Sequence, residues 1–127
     1  MKRRSILFAA VAASTLHAQD DSFTGTPLVR VDCDENEAKR TELSELAGEK
    51  YECRIARKGR RYVWASRGNR ELMRSVAGDW TYFISPEGSG YVKVLTGVAG
   101  QPYDYVEHVT EAFKTITYWG KRRNADR

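Results

Sequence analysis

The chain has 127 residues, with 21 lysines and arginines, 17 aspartates and glutamates, a formal net charge of +4 and 41% hydrophobic side chains. That length suffices for one small domain with a single core and excludes two. The basic excess does not point to a nucleic-acid partner, because Lys2, Arg3 and Arg4 lie in a segment expected to be removed, which leaves 18 basic against 17 acidic side chains.

Those three cations precede an apolar run over residues 6–13 and a small, polar stretch ending at Ala18. This is the charged start, short apolar centre and alanine-rich exit of a secretory signal peptide over residues 1–18. The run is much shorter than the roughly 20 residues a helix needs to cross a bilayer. The expectation is therefore an exported protein, periplasmic or extracellular, with no transmembrane segment after cleavage.

Residues 19–32 are polar, contain Gly25 and Pro27, and read as a flexible N-terminal segment whose end, 28–31, could form a short edge strand. Cys33 and Cys53 follow. In an oxidising compartment the default for two cysteines is a disulfide, which here would close a loop of about 20 residues and add roughly 3 kcal/mol. Between them, Asp34, Glu35 and Glu37 suit a helix start, and Ala38, Leu43, Leu46 and Ala47 form a narrow apolar stripe ending at Gly48. A short solvated helix is expected.

Residues 51–66 read as a hairpin turning at Lys58-Gly59-Arg60. Either choice of turn puts Cys53 and Ile55 on one face with Tyr62 and Trp64, the expected core side. Residues 70–76 fit a helical turn or an irregular strand. A second hairpin follows over 80–85 and 91–95, joined by Pro86-Glu87-Gly88-Ser89-Gly90. A loop over 97–102 leads to 105–119, where helical and extended patterns compete and extended structure is expected from 113. The fold class is then α+β, mostly β, with one short N-terminal helix on an antiparallel meander of four to five strands, a half-closed barrel being one form of it. A single globular domain is expected over 33–119, and a disordered basic tail over 120–127.

Charge is segregated along the chain. Residues 19–52 carry ten acidic and four basic side chains, whereas residues 53–74 carry eight basic ones against Glu71 alone. Arg54, Arg57, Lys58, Arg60, Arg61 and Arg67, with Tyr103 and Tyr105 beside a glycine-containing loop, are the candidate partner-binding residues. Such a surface would suit an anionic polysaccharide, a lipid headgroup or an acidic protein face. The competing expectation is internal, with the acidic segment packing over the basic hairpin so that the charges answer each other.

Asp104, His108 and Glu111 would share a face if their segment were helical, and are weak candidates for metal binding or acid/base chemistry. Gly88-Ser89-Gly90 lacks the strand-to-helix setting of a nucleophile elbow. No Walker loop, dinucleotide fingerprint or calcium loop is present, so no cofactor is expected. The function that fits is a small exported, disulfide-bonded, non-catalytic module binding an envelope or extracellular partner through the basic hairpin and nearby aromatics. A small hydrolase or metal-dependent enzyme centred on His108, and a structural component of an extracellular assembly, are the alternatives.

Overall fold

The structure, a computed structural model, describes residues 22–123. The expected signal segment and the last four residues of the expected tail lie outside that range. The described chain is nearly all β. Nine antiparallel strands follow in order: β1 (Phe23–Cys33), β2 (Ala38–Glu42), β3 (Cys53–Lys58), β4 (Arg61–Trp64), β5 (Arg70–Ala77), β6 (Trp80–Ile84), β7 (Gly90–Leu95), β8 (Tyr105–Thr110) and β9 (Thr115–Arg122). A six-residue helix, α1 (Glu45–Lys50), separates β2 from β3, and a short 3₁₀ turn (Ala65–Arg67) separates β4 from β5.

The sheet closes on itself through β1. One edge of β1 pairs with β3 over Phe23, Thr24 and Gly25, and the other pairs with β9 from Gly25 to Cys33. Strands β3 to β9 connect the two edges as an up-and-down meander. Eight strands therefore form a closed barrel, and β2 lies outside the ring, paired with the rest of the first edge of β1 from Val29 to Cys33. Closure removes the exposed edges that a four- or five-stranded meander would leave.

In place of the expected α+β arrangement, one short N-terminal helix on a meander of four to five strands, the described residues form nine antiparallel strands in one sheet. The acidic stretch after Cys33 does not start a helix. Asp34 Oδ1 accepts from the backbone N–H groups of Asn36 and Glu37 at 2.8 and 2.9 Å, and Asp34 N donates to Glu37 O, which builds a tight turn between β1 and β2. Between β1 and β3 the helical structure is confined to α1, capped by Ser44 Oγ accepting from Ala47 N at 3.2 Å. Most of the segment assigned as flexible is β1, which holds partners on both edges and so is not an edge strand. Strand β9 likewise runs through Gly120 to Arg122, into the expected tail.

The interior is filled by alternate residues of each strand. Ile55, Trp64, Leu72, Phe83, Val92, Val94, Tyr105 and Val109 pack with Phe23 and Cys53. Burying each Val, Leu, Ile or Phe side chain is worth roughly 1.5–3 kcal/mol. The first hairpin has the expected faces, with Ile55 opposite Trp64 and Lys58 opposite Arg61. Gly59 takes the positive φ of 68° required by the two-residue turn. At Gly25 a Cβ would collide with the Tyr105 ring, and at Gly120 with the Thr26 and Pro27 backbone before the same ring, so both positions need the absence of a side chain.

Candidate functional site

The antiparallel register places the β3–β4 turn, the β5–β6 turn, the β7–β8 loop, the start of β1 and the end of β9 at one mouth of the barrel. Lys58 and Arg60 are exposed at the hairpin tip and make no ion pair among the described residues. Arg57 Nε donates to Gly59 O at 2.8 Å and its guanidinium lies 5.8 Å from the Tyr62 ring centroid. Arg61 meets Glu71 at 3.3 Å, and Arg54 is exposed on the outer wall of β3.

Closure brings in cations that the sequence pattern left out of this group. Arg74 in the second half of β5, which lines the same cavity as Phe23 and Thr96, and Lys121 and Arg122 at the end of β9, belong to the same mouth. The acidic segment is engaged elsewhere: Asp32 pairs with Arg30, Glu42 with Arg40 and Glu52 with Arg123. Arg61 and Arg67 pair instead with Glu71 and Glu107.

Arg67 leaves the hairpin surface. It sits in the 3₁₀ turn at the opposite mouth, and its Nε and Nη2 donate to Glu107 at 3.2 and 3.4 Å. Glu107 is 1% exposed, and its Oε2 also accepts from Trp64 Nε1 at 2.8 Å. Burial works against the Arg67 charge, but Glu107 and Tyr118 together outweigh it and hold the guanidinium above its ordinary pKa. The guanidinium lies 5.6 Å from the Tyr118 ring centroid, and Arg30 covers the same ring at 5.6 Å while donating to the Tyr118 hydroxyl at 3.3 Å. Arg30 ends the chain of contacts at Asp32.

Arg67, Arg70, Glu87, Ser89, Glu111 and Trp64 line a polar cleft of about 640 Å³ at this mouth. Arg70 Nη1 and Glu87 are paired, and Ser89 Oγ bridges them at 2.7 Å to each. Gly88-Ser89-Gly90 thus forms a hairpin turn, with its serine in an ion-pair network. Sequence reasoning missed Glu107 as an interior group. Its only signal was an acid at an alternating position between Tyr105 and Val109, which becomes legible once β8 is known to be a strand.

The remaining candidates separate. Tyr105, expected at the surface, is 0% exposed, and Tyr103 is half-buried in the β7–β8 loop. His108 faces the outer wall, with Nδ1 2.9 Å from Thr117 Oγ1 and its ring stacked on Tyr91 at 5.2 Å. Asp104 accepts from the Arg122 backbone N–H at one end of β8, and Glu111 faces Lys114 at 3.8 Å beyond the other. These three are not brought together, and the described residues contain no group of three or more His, Cys, Asp or Glu side chains placed to hold a metal ion.

Both cysteines are free thiols, Cys33 exposed and Cys53 buried. Cys53 pairs with Gly25 across β1 and β3, eight positions along β1 from Cys33. At about 3.3 Å per residue the two are roughly 26 Å apart, far beyond the ~7 Å Cα limit of a disulfide. The expected intrachain bridge is incompatible with this register. Burial, then the nearby Glu107 charge, push the Cys53 thiol pKa well up, so it stays protonated and unreactive.

Comparisons of the chain with protein-family models, with curated proteins and with solved structures gave no match.

Proposed function

We propose that the protein is a non-catalytic binding module, exported to the periplasm or extracellular space, that engages an anionic partner through the basic mouth of its barrel. The observation that supports this reading is the gathering of Lys58, Arg60, Arg74, Lys121 and Arg122 from three separate stretches of chain at one end, all exposed. Clustered like charge focuses potential and attracts a polyanion or an anionic surface. Arg67 and Tyr105 do not belong to this surface. An acidic polysaccharide, an anionic lipid headgroup and an acidic protein face share the required chemistry.

Binding to polygalacturonate, to vesicles containing phosphatidylglycerol and to an acidic protein distinguishes those sources. Charge reversal at Lys58 and Arg60 together should weaken binding at least tenfold at low salt, about 1.4 kcal/mol or more. Binding by the unaltered protein should fall as the Debye length shrinks from about 30 Å at 0.01 M to about 8 Å at 0.15 M salt. Absence of salt-sensitive binding to all three probes would overturn the proposal.

A further inference from the structure

The basic mouth encloses a cavity of about 280 Å³ whose lining is divided by chemistry. Phe23, Phe83 and Val94, all buried, form the apolar floor beside Thr81. Thr96 and the exposed Arg74 and Arg122 form part of the rim. Arg74 lies opposite Phe83 and Arg122 opposite Gly25, so both are on the inner face of the barrel and not the outer wall. The Arg122 guanidinium is 5.5 Å from the Phe23 ring centroid. Neither arginine makes an ion pair among the described residues.

An apolar cup carrying two guanidinium groups with no ion-pair partner among the described residues has the complement of a small molecule with an apolar body and one anionic end. We propose that this mouth binds a small amphipathic monoanion, an arylalkyl or medium-chain alkyl carboxylate. Its body rests on Phe23, Phe83 and Val94, and its carboxylate is held by Arg74 and Arg122. Burying the apolar body supplies the driving force, and charge-assisted hydrogen bonds from the arginines fix the orientation. The volume sets the size: a dry cavity of about 150 Å³ accepts benzene, and sites for larger ligands run from about 300 Å³ upward. The cup therefore suits a single ring or a medium-length chain and cannot hold the tails of a diacyl lipid. The inference rests on the basic mouth being an anion-binding surface, and assigns to it a ligand class that a polymer backbone cannot imitate.

Titration calorimetry of the purified protein with octanoate and 4-phenylbutyrate tests it, with octan-1-ol and acetate as controls lacking the charge and the apolar body. Both carboxylates should bind, and both controls should bind at least about tenfold more weakly. Arg74→Gln with Arg122→Gln should lower octanoate affinity by about tenfold or more without changing the urea midpoint, because both side chains are exposed. Lys58→Glu with Arg60→Glu should leave it within about threefold while weakening polymer or vesicle binding at least about tenfold.

Octanol binding as tightly as octanoate, affinity that survives the double arginine substitution, or no carboxylate binding would overturn the inference. Polymer or vesicle binding that persists beside such a result would show the partner proposal standing alone. Arginine-dependent octanoate binding with no polymer, vesicle or protein binding would uphold the cup and remove the larger partner.

Discussion

The Trp64 indole N–H donates to Glu107 Oε2 at 2.8 Å across the barrel interior, joining β4 to β8 over 43 positions of sequence. The same oxygen accepts Arg67 Nε at 3.2 Å. A carboxylate at 1% exposure is sustained by a charged partner and an oriented neutral donor together.

Glu107→Leu should therefore destabilise the fold by about 3–5 kcal/mol, because it leaves Arg67 half-buried without its counter-charge. Adding Arg67→Met should recover a substantial part of that loss, and a urea-denaturation double-mutant cycle measures the coupling. Additive effects would mean that the pair is not linked as described.

Trp64→Ala should cost about 3–5 kcal/mol as a core truncation. Trp64→Phe keeps most of the ring but removes the N–H, and a smaller loss of about 1–3 kcal/mol is expected from the weakened Glu107 contact. Equal losses for the two variants would assign all of the effect to packing.

Tyr105 is fully buried, and its hydroxyl has no hydrogen-bond partner among the described residues. Tyr105→Phe should leave the urea midpoint unchanged or raise it, since it removes an unsatisfied polar atom. Gly25→Ala should destabilise by about 1–3 kcal/mol through collision with that ring, and Gly120→Ala by at least as much because its Cβ would first meet the Thr26 and Pro27 backbone. A large loss in Tyr105→Phe would reveal a partner for the hydroxyl.

Stability should fall at both ends of the pH range. Burial pushes the Cys53, Tyr105 and Tyr118 groups above their ordinary values. Their contribution is complete below the unfolded-state pKa values, about 8.5 for the thiol and about 10 for the phenols, and is lost as pH rises toward the folded-state values. Asp32 shows the opposite sign: its hydrogen bonds from Arg30 lower its pKa, so its contribution is present above about pH 4 and disappears as pH falls through the folded-state value. Urea midpoints against pH should show a plateau with decline on both sides, and Cys53→Ala should flatten the decline that begins near pH 8.5. An unchanged alkaline slope in that variant would place the Cys53 thiol in water.

A thiol reagent should modify Cys33 in the folded protein and Cys53 only after unfolding, given their exposed and buried positions. An intact mass two protons below the fully reduced value, with neither cysteine reactive, would contradict the register of β1 and β3.

Local pattern was enough for two of the hairpins, β3–β4 and β6–β7. Alternation places Cys53, Ile55, Tyr62 and Trp64 on one face because a strand's side-chain period of two depends only on nearest neighbours, and Gly59 marks the turn for the same local reason. The basic tip at Lys58 and Arg60 follows directly from that hairpin. Closure through β1 required contacts between residues almost a hundred positions apart, such as Gly25 with Arg122, and a segment containing glycine and proline carries no local mark of a strand paired on both edges. The Asp34 signal for a helix start served a turn, because the same carboxylate chemistry satisfies either one. The sequence by itself determined which residues alternate in the first hairpin and where two of the hairpins turn, between β3 and β4 and between β6 and β7. Only the closed barrel decided that Glu107 lies inside with Arg67, that Arg74 and Arg122 share one mouth, and that Cys33 and Cys53 stay apart, because those placements depend on strand order and register around the ring.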